Sequence, residues 1–335
     1  MKLSGLHIFK DYNQASSNQR RVLIKLAEPF IDSLQHIDTN FNETIVISDY
    51  GSAEGYNSVA FFNQTLPRFR EFSQKPIMII HNDLPENNWN TTFKTLEDSD
   101  SYVKIPNVYF SGLGRTFIQQ IFPNNYVHIG ISSLAFHFLP QSFSVFDHIC
   151  PSSTNDLILK QQIAEVAHSH FINILTQRYK ELVDLGRLLI IIPTETVGML
   201  YPAVPIQIVN ENMYAKGVIN EEEKGKITIP TYGKSDEEIQ RALEEVKHLY
   251  RIIENKKVDD DWKLTEENKE EFLESLKLLA IKHLETCLKR VVKRDEEEVK
   301  LIIEEYRKEI EVIVENTPFT RFPTFHLIIL EKIPF

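Results

Sequence analysis

The sequence predicts an α/β protein built on a doubly wound, mostly parallel sheet, with an α-helical cap inserted before the last strand. Five short, nearly continuous apolar runs lie in the first 192 residues and alternate with helix-compatible segments. A stretch of amphipathic helical patterns then separates them from a sixth apolar run near the C-terminus. Continuous apolar runs are typical of strands covered on both faces, and their alternation with helices is typical of a parallel sheet.

The predicted core elements come first along the chain. The strands are Thr44–Asp49, Pro76–His81, Asn107–Phe110, Tyr126–Ile131 and Leu188–Ile192. Helices are predicted between them, notably over Asn57–Phe72 and Leu157–Asp184. Beyond Pro193 the alternation of strand-like and helix-like patterns stops, and we expect a loop as far as Tyr232.

Three amphipathic helices are predicted after this loop. The first begins at Ser235, with Glu238 at the spacing of a capping box. The apolar positions are Ile239, Leu243, Val246, Leu249 and Ile253 in the first helix, Phe272, Leu276, Leu279, His283 and Leu284 in the second, and Val299, Ile302, Ile303, Tyr306 and Ile310 in the third. A strand over Phe325–Lys332 then returns to the sheet.

Composition limits the class of protein and the partners it can have. The chain of 335 residues is 42% hydrophobic and 25% charged, which is typical of a soluble globular protein. Its formal net charge is -11, with acidic residues concentrated in the C-terminal third, so its electrostatic field repels phosphate backbones and excludes nucleic acid as an expected partner. No apolar stretch approaches the ~18 residues that a membrane span requires, and we expect a cytoplasmic protein.

The cysteines and histidines give no sign of a metal site. Cys150 and Cys287 lie far apart without a CxxC spacing, and we interpret both as buried apolar side chains in a reducing compartment. The histidines show no metal-like pairing with carboxylates, and His168 and His170 are expected to face different ways on one helix. We therefore expect no bound metal.

Two acidic residues follow neighbouring predicted strands. In the segment IVISDYGSAEGYNS, Asp49 ends the first strand and a turn with Gly51 and Gly55 follows, while Asp83 comes just after the second strand. Ligands of α/β sheets bind at the carboxyl ends of strands, where a glycine allows close approach to the backbone. Asp49 is placed to orient the amino-acid part of a nucleoside, and Asp83 to accept both hydroxyls of a ribose. The alternative is that these residues only form turns.

Other nucleotide motifs are missing from the sequence. There is no GxGxxG fingerprint for a dinucleotide, which disfavours a nicotinamide oxidoreductase. There is also no GxxxxGK[ST] loop for a nucleoside triphosphate. Two acidic strand ends at this spacing instead favour an adenosyl cofactor.

Ordered motifs along most of the chain resemble the SABATH family, the salicylate, jasmonate, benzoate and related carboxyl methyltransferases. Tyr12, Ser16 and Gln19 match the family's Tyr-x-x-x-Ser-x-x-Gln, and IVISDYGSAEGYNS is similar to I-A-D-L-G-C-S-S-G-P-N-T. HNDLPENNWNTTF resembles N-D-L-P-x-N-D-F-N-x-x-F, and GLGRTFIQQIFP resembles G-V-P-G-S-F-Y-x-R-L-F-P. Further matches are VHIGISSLAFHFLP with L-H-F-x-x-S-S-Y-S-L-x-W-L, and KGVINEEEKGKITIPTYGKSDEEI with E-G-L-I-x-E-E-K and I-P-x-Y-x-P-S-x-E-E.

The resemblance implies a fold, a cofactor and a set of cofactor contacts. The fold is the Rossmann-like sheet of class I methyltransferases: an S-adenosylmethionine-binding core over residues 1–194, a mainly helical cap over 195–295 that covers the substrate pocket, and a return to the core with a closing helix and strand over 296–335. The cofactor is S-adenosyl-L-methionine, with S-adenosyl-L-homocysteine as product, and the resemblance also implies a homodimer. The implied cofactor contacts are Ser16, Asp49, Gly51, Asn57, Asp83, Leu84, Thr116 and Phe117, with Thr116 standing where the family has Ser.

The same motifs imply a substrate site for a small carboxylic acid. The implied residues are Tyr12, Gln19, Leu134, His137, Phe138 and Tyr232. The resemblance implies that Gln19 donates to the substrate carboxylate, whereas the family's second donor, a Trp, is replaced by Phe138, which has no donor. His137 either restores that hydrogen bond, with added charge if it is protonated, or only makes a backbone hydrogen bond on the pocket wall. Leu134, where plant members often have Tyr, favours a roomier pocket for a fatty, terpenoid or arylalkyl acid.

The expected reaction does not require the protein to transfer protons. A carboxylic acid with a pKa of about 4 is already ionised at pH 7, so catalysis is expected from positioning and from exclusion of water, without a general base. Two alternatives stay open: a nitrogen methyltransferase of the same family, which needs no carboxylate clamp, and a non-catalytic relative that only binds the cofactor.

Overall fold

The computed structural model of the chain describes residues 16–40, 44–195, 200–259, 265–316 and 324–334. Within these residues, seven strands form one sheet: β1 (Ile45–Tyr50), β2 (Ile77–Asp83), β3 (Val108–Gly114), β4 (Val127–Ser133), β5 (Leu182–Pro193), β6 (Tyr250–Asp259) and β7 (Thr324–Lys332). All six predicted strands are confirmed. The largest difference is at β5, which begins at Leu182 rather than at Leu188.

The strand order places a crevice at the end of β1. The order is β3-β2-β1-β4-β5-β7-β6, and β1 pairs in parallel with β2 on one side and with β4 on the other. The order of the strands reverses between β1 and β4, and ligands of such sheets bind at this switch point. The register sets Asp49 opposite His81 of β2 and Ile131 of β4. Strand β7 is antiparallel to both of its neighbours, β5 and β6.

Ten helices accompany the sheet in the described residues. They are α1 (Ser17–Ile24), α2 (Ala27–Asn40), α3 (Tyr56–Arg70), α4 (Trp89–Leu96), α5 (Leu157–Glu181), α6 (Leu200–Ala215), α7 (Glu221–Lys226), α8 (Asp236–Glu245), α9 (Lys269–Thr286) and α10 (Glu296–Asn316). Apolar residues of α1, α2 and α3 join one face of the sheet in a buried cluster, and those of α5 and α8 join the other. The doubly wound sheet predicted from the sequence is thereby confirmed.

The loop predicted between residues 193 and 232 was wrong, because α6 and α7 lie in it. Helix α6 contains Pro205 and packs its apolar residues against α9 and α10. Helix α7 begins at a capping box formed by Asn220 and Glu223. Prolines in the α6 sequence obscured its helical period, since proline is normally disfavoured inside a helix. Burial of its apolar residues against α9 and α10 outweighs that preference.

The helix predicted from Ser235 is correct only in its first part. The capping box of Ser235 and Glu238 is present and starts α8. The extension to Ile253 was wrong, because Ile253 lies in β6, where its side chain is 40% exposed. Strand β6 is stabilised by backbone pairing with β7, which lies far away in sequence, so local periodicity does not reveal it.

The second and third amphipathic patterns are confirmed as α9 and α10. Their buried positions include Phe272, Leu276 and Leu284 in α9, and Val299, Ile302, Tyr306 and Ile310 in α10. The side chains of Leu279 and His283 lie outside those that the structure describes. Helix α10, from the predicted closing region, shares an apolar cluster with α6 and α9 of the predicted cap. Strand β6, also from the predicted cap, joins the sheet. The division into regions at residues 194 and 295 stays a prediction.

Two expectations from the sequence concern the burial of the cysteines and the length of apolar helices. Cys150 and Cys287 are both free and buried, as predicted. Among the helices in the described part of the chain, none is long and apolar enough to cross a membrane.

Candidate active site

Strand β1 carries Asp49 to the switch point of the sheet, where the side chain is mostly buried. Gly51 follows at a φ of 85°, and its N–H donates to the carbonyl oxygen of Asn82 at 2.8 Å. A Cβ atom on residue 51 would lie 2.4 Å from the Cβ of Ala135. Only glycine fits at this position, both for its left-handed backbone and for the close approach of the two segments.

Asp49 receives two hydrogen bonds on the same carboxylate oxygen. Ser58 Oγ donates to Oδ2 at 2.5 Å, and Nδ1 of His81 lies 3.2 Å from the same atom. The other oxygen, Oδ1, accepts no hydrogen bond from the described residues. One oxygen of the carboxylate is therefore held by the protein and the other is left for a ligand.

Asp83 ends β2 and lies close enough to Asp49 for the two charges to interact. Its Oδ2 accepts from the backbone N–H of Ala53 and its Oδ1 from that of Leu84, each at 2.7 Å. Burial raises the pKa of Asp83 to about 6, and the neighbouring Asp49 charge adds to that rise, while the two backbone donors oppose it. The structure therefore brings together the two acidic strand ends predicted to hold the cofactor.

Helix α1 brings Ser16 and Gln19 to the same edge. Ser16 is buried, and its hydroxyl donates to Oδ1 of Asn57 on α3 at 3.1 Å. Gln19, Asp49, Gly51 and Asn57 line one narrow cleft. Four predicted site residues that are scattered in sequence thus share one opening.

Polar atoms in this cleft are buried without a hydrogen-bond partner in the described residues. They are Gln19 Oε1, Ser52 Oγ and Ser133 Oγ. Buried polar atoms are normally paired, because leaving them unpaired costs free energy. Together with Oδ1 of Asp49, the hydroxyls of Ser52 and Ser133 fit the polar amino-acid end of S-adenosylmethionine, which offers both an ammonium and a carboxylate.

The loop after β3 carries Thr116 and Phe117. The Phe117 ring lies 5.1 Å from that of Phe136 between centroids, and one of its carbons would be 3.9 Å from a Cβ at Gly51. Thr116 Oγ1 accepts a long hydrogen bond of 3.4 Å from the N–H of Ile118. Phe117 therefore forms an apolar wall beside the glycine turn, and the hydroxyl of Thr116 is only weakly bound.

A buried ion pair holds this loop in place. Arg178 is fully buried in α5 and donates to the carbonyl oxygen of Phe117 at 2.6 Å. Glu181 Oε1 accepts from the N–H of Ile121 at 2.5 Å and from Arg178 at 2.8 Å, while its Oε2 accepts from Tyr50 at 2.9 Å. The end of β1, α5 and the loop are thus joined by one network of charge-assisted hydrogen bonds.

His137 and Phe138 are neighbours in the segment after β4. His137 is 8% exposed, and its Nδ1 is buried with no hydrogen-bond partner in the described part of the chain. Burial lowers the pKa of His137 to about 3, so the imidazole is neutral at pH 7. Its ring centroid lies 4.6 Å from that of Phe138. The possibility that a protonated His137 adds charge is therefore disfavoured, whereas a neutral imidazole still has a free nitrogen for a hydrogen bond.

The other predicted substrate residues are less tied to this cleft. Leu134 has a φ of 53° and packs against the apolar cluster that includes residues of α1. Tyr232 is buried, and its hydroxyl donates to Oε1 of Glu238 at 2.6 Å. Tyr12 lies outside the described residues. The roles of these three residues in substrate binding stay predictions.

Sequence reasoning missed the polar partners of the site. Two histidines pair singly with carboxylates: His81 lies 3.2 Å from Asp49, and Nε2 of His168 lies 2.8 Å from Oε2 of Glu245. Each pair joins residues of separate helices or strands, so the spacing of residues in the sequence does not reveal it. These are single pairs, and the described residues contain no group of three or more His, Cys, Asp or Glu that would hold a metal ion.

A second, more open cleft of about 400 Å³ lies farther along the sheet edge. It is lined by residues at the ends of β5, β6 and β7 and at the start of α8, among them Glu195, Lys234 and Asp259. Burial lowers the pKa of Lys234 to about 8. The cleft lies away from Asp49 and Asp83, and none of the predicted site residues lines it.

The sheet order and its acidic, glycine-containing edge define the chain as an α/β protein with a Rossmann-like fold. A solved structure supports the fold: loganic acid methyltransferase with SAH superposes with a TM-score of 0.77 at 16% sequence identity, covering 98% of this chain and 99% of that one.

The family follows from a match over most of the sequence. Residues 9–317 match the family described as SAM dependent carboxyl methyltransferase. The chain belongs to this family of S-adenosylmethionine-dependent carboxyl methyltransferases, which confirms the family, the enzyme class and the cofactor predicted from the motifs.

Two relatives illustrate the similarity within the family. The chain is 25% identical over 267 residues to the farnesoic acid carboxyl-O-methyltransferase of Arabidopsis thaliana, covering 70% of this chain and 73% of that protein. It is 25% identical over 269 residues to the S-adenosyl-L-methionine:benzoic acid/salicylic acid carboxyl methyltransferase 3 of Petunia hybrida, covering 73% of this chain and 75% of that protein.

Proposed function

We propose that this chain methylates the carboxylate of a small, largely apolar organic acid, giving a methyl ester and S-adenosylhomocysteine. The observation that supports this most is the cleft at the end of β1, where Gln19 of α1 meets Asp49 and Gly51. The Gln19 amide carries two N–H donors, which suit a carboxylate, and its oxygen is unpaired among the described residues. The acid and the cofactor are thereby expected to meet at one opening.

The cofactor, when bound, supplies an activated methyl group on a sulfonium. The chain's own residues hold and orient the reactants. Asp49 and Asp83 bind the polar groups of the cofactor, Gly51 lets it approach the backbone, and Phe117 shields it from water. Orientation of this kind supplies roughly 7–11 kcal/mol of a reaction barrier. A dedicated base is unnecessary because the carboxylic acid is already ionised at pH 7.

The absence of a general base from the proposed mechanism agrees with the state of His137. With a pKa of about 3, the imidazole is a weak proton acceptor at neutral pH. In the tautomer that carries its proton on Nδ1, the imidazole can instead donate a hydrogen bond to the carboxylate of the acid. We propose that His137 takes the place of the Trp donor that Phe138 lacks, so that Gln19 and His137 together hold the carboxylate.

The acid itself is proposed from the side chains that differ from the plant family pattern. Phe138 stands where that pattern has Trp, and Leu134 stands where it often has Tyr. Both changes remove polar groups and favour an aliphatic or arylalkyl acid over a hydroxylated aromatic one. The farnesoic acid named for the Arabidopsis relative is an acid of this apolar kind.

A nitrogen methyltransferase is the second candidate function. It is favoured by one observation, the loss of the indole donor at Phe138, because a nitrogen nucleophile needs no carboxylate clamp. A third possibility, a relative that binds the cofactor without transferring methyl groups, is disfavoured by the intact polar residues Asp49 and Asp83.

Turnover with labelled S-adenosylmethionine separates these functions. The purified protein is incubated with a panel of fatty, terpenoid, arylalkyl and benzoic acids and, in parallel, with purines. Methyl ester from an apolar acid supports the proposal, whereas methylated purine without ester contradicts it and supports the second candidate. Tight binding of S-adenosylhomocysteine with no transfer to any acceptor identifies a non-catalytic relative.

Two further properties are proposed from the sequence. The resemblance implies a homodimer, and the two buried free thiols suit the reducing cytoplasm. Sedimentation equilibrium on the purified chain tests the first: a single species near the chain mass of 39.1 kDa contradicts it.

A further inference from the structure

The carboxylate of Asp49 is bound on one side only. Ser58 Oγ and His81 Nδ1 both reach Oδ2, at 2.5 and 3.2 Å, while Oδ1 has no hydrogen-bond partner in the described residues. Asp49 also lines the cleft beside Gln19. Holding Oδ2 fixes the rotation of the carboxylate and therefore the direction of Oδ1.

The position of His81 is itself fixed by a second hydrogen bond. His81 is fully buried, and its Nε2 lies 2.6 Å from the hydroxyl oxygen of Tyr102, which is also fully buried. A buried phenol normally finds a hydrogen-bond acceptor, and Nε2 is the partner that the structure gives it. If the Tyr102 O–H donates to Nε2, the proton of the imidazole is on Nδ1 and points at Asp49.

The surroundings of His81 favour a fixed ring. The Phe62 ring packs edge-on to it, with centroids 6.2 Å apart, and the Tyr102 ring lies 6.1 Å away. His81 lies opposite Asp49 in the β1–β2 register, so the pairing of the two strands places the two side chains next to each other. The three groups form one directed chain from Tyr102 through His81 to Asp49.

We propose that His81 and Tyr102 are positioning residues, which hold Oδ2 of Asp49 so that Oδ1 binds the ammonium of the amino-acid part of the cofactor. The proposal rests on the cofactor site proposed above and adds two residues to it. Neither residue touches the cofactor. Their effect is therefore confined to the amino-acid end, while the adenosine end depends on Asp83 and the loop at Phe117.

Binding of two ligands that differ only at the amino-acid end tests the proposal. S-adenosylhomocysteine carries the amino-acid part, and 5′-methylthioadenosine keeps the nucleoside but lacks it. Titration calorimetry measures the Kd of both ligands for the wild-type protein and for His81→Leu, His81→Asn and Tyr102→Phe. The ratio of the two Kd values isolates the interaction made by Asp49.

The expected pattern is selective. His81→Leu raises the Kd of S-adenosylhomocysteine about tenfold, a typical loss for a hydrogen bond to a charged group. The Kd of 5′-methylthioadenosine stays within about twofold of the wild-type value. His81→Asn, whose amide N–H takes the place of Nδ1–H, restores most of that affinity. Tyr102→Phe gives a smaller selective loss. The double change of His81→Leu with Tyr102→Phe leaves no phenol unpaired and keeps the test valid if the single change disturbs folding.

Other outcomes overturn the proposal. Equal weakening of both ligands means that His81 supports the whole site and not the amino-acid end. Unchanged affinity in His81→Leu and in the double variant means that Asp49 needs no positioning. A wild-type protein that binds neither ligand overturns the proposed function and this inference with it, whereas normal wild-type binding with a non-selective His81→Leu overturns the inference alone.

Discussion

The two halves of the candidate site are built in different ways. On the cofactor side, Asp49 and Asp83 each receive two hydrogen bonds from the protein. On the acid side, His137 has an unpaired buried nitrogen among the described residues, and Phe138 offers an aromatic ring without a donor. The two carboxylates of the first half are held by the protein before any ligand arrives, whereas the Nδ1 of His137 in the second half is left for a ligand. The comparison predicts that the proposed cofactor side is less sensitive to the bound acid than the proposed acid side.

The largest expected effect tests how firmly the cofactor side is held. Arg178→Met removes one partner of the buried pair and leaves Glu181 as an uncompensated charge. We expect the free energy of unfolding to fall by about 3–5 kcal/mol, measured by urea denaturation. Arg241→Met is the matched control, because its pair with Glu165 is solvent-exposed, and we expect a loss of below about 1 kcal/mol. Similar losses in the two variants would show that the buried network does not organise the loop.

The next effect separates the acid side from the cofactor side. Gln19→Leu removes the proposed donor to the acid carboxylate, and we expect kcat/KM for the acid to fall roughly 10- to 100-fold, as for a lost hydrogen bond to a charged group. The Kd of S-adenosylhomocysteine should change little. Gln35→Leu, at an exposed position of α2, is the control and should leave both values unchanged. An unchanged kcat/KM in Gln19→Leu would remove Gln19 from the acid clamp.

A substitution at the glycine turn tests the close approach at the cofactor side. Gly51→Ala places a Cβ at 2.4 Å from that of Ala135, so the turn must shift. Gly217→Ala shares a positive φ of 71° but meets nothing within 4 Å, which makes it a control for backbone strain alone. We expect Gly51→Ala to lower the free energy of unfolding by about 1–3 kcal/mol more than the control, and to weaken S-adenosylhomocysteine. Equal stability of the two variants would contradict a tight contact at Gly51.

The smallest effect is a pH dependence of cofactor binding. Burial raises the pKa of Asp83 to about 6, so its carboxylate is protonated as the pH falls through 6. A ligand that needs the ionised form should therefore bind about tenfold more weakly at pH 5 than at pH 7. Asp83→Asn removes the titrating group and should flatten this part of the profile, as measured by calorimetry. A profile that stays steep in Asp83→Asn would assign the titration to another group.

Ionisation of Asp83 lowers the stability of the fold, although it favours binding of the cofactor. The folded-state pKa of Asp83 lies above its ordinary value, so burial of the ionised form destabilises the fold at pH values above 6. The contribution of Asp83 to stability therefore improves as the pH falls from 7 towards 4, while affinity for the cofactor falls over the same range.

The sequence predicts the cofactor side better than the acid side, for physical reasons. Asp49, Gly51 and Asp83 lie at strand ends, where apolar runs and turn residues mark their place directly. His81 and Arg178 act through pairing between segments, and their partners are set by sheet register and helix packing. Helix α6 was missed because Pro205 obscured its period, and β6 was missed because its pairing with β7 is not local. The proposed acid side combines several segments, so the family motifs predict its residues but not its shape.

The placement of β7 between β5 and β6 affects the order in which this chain folds. Residues 324–332 form that strand, so during synthesis helices α1 to α10 leave the ribosome before the sheet can be completed. Until then β5 has an open edge, and such edges are prone to pair with other chains. Nascent chains stalled before residue 324 should therefore depend on chaperones far more than full-length chains do.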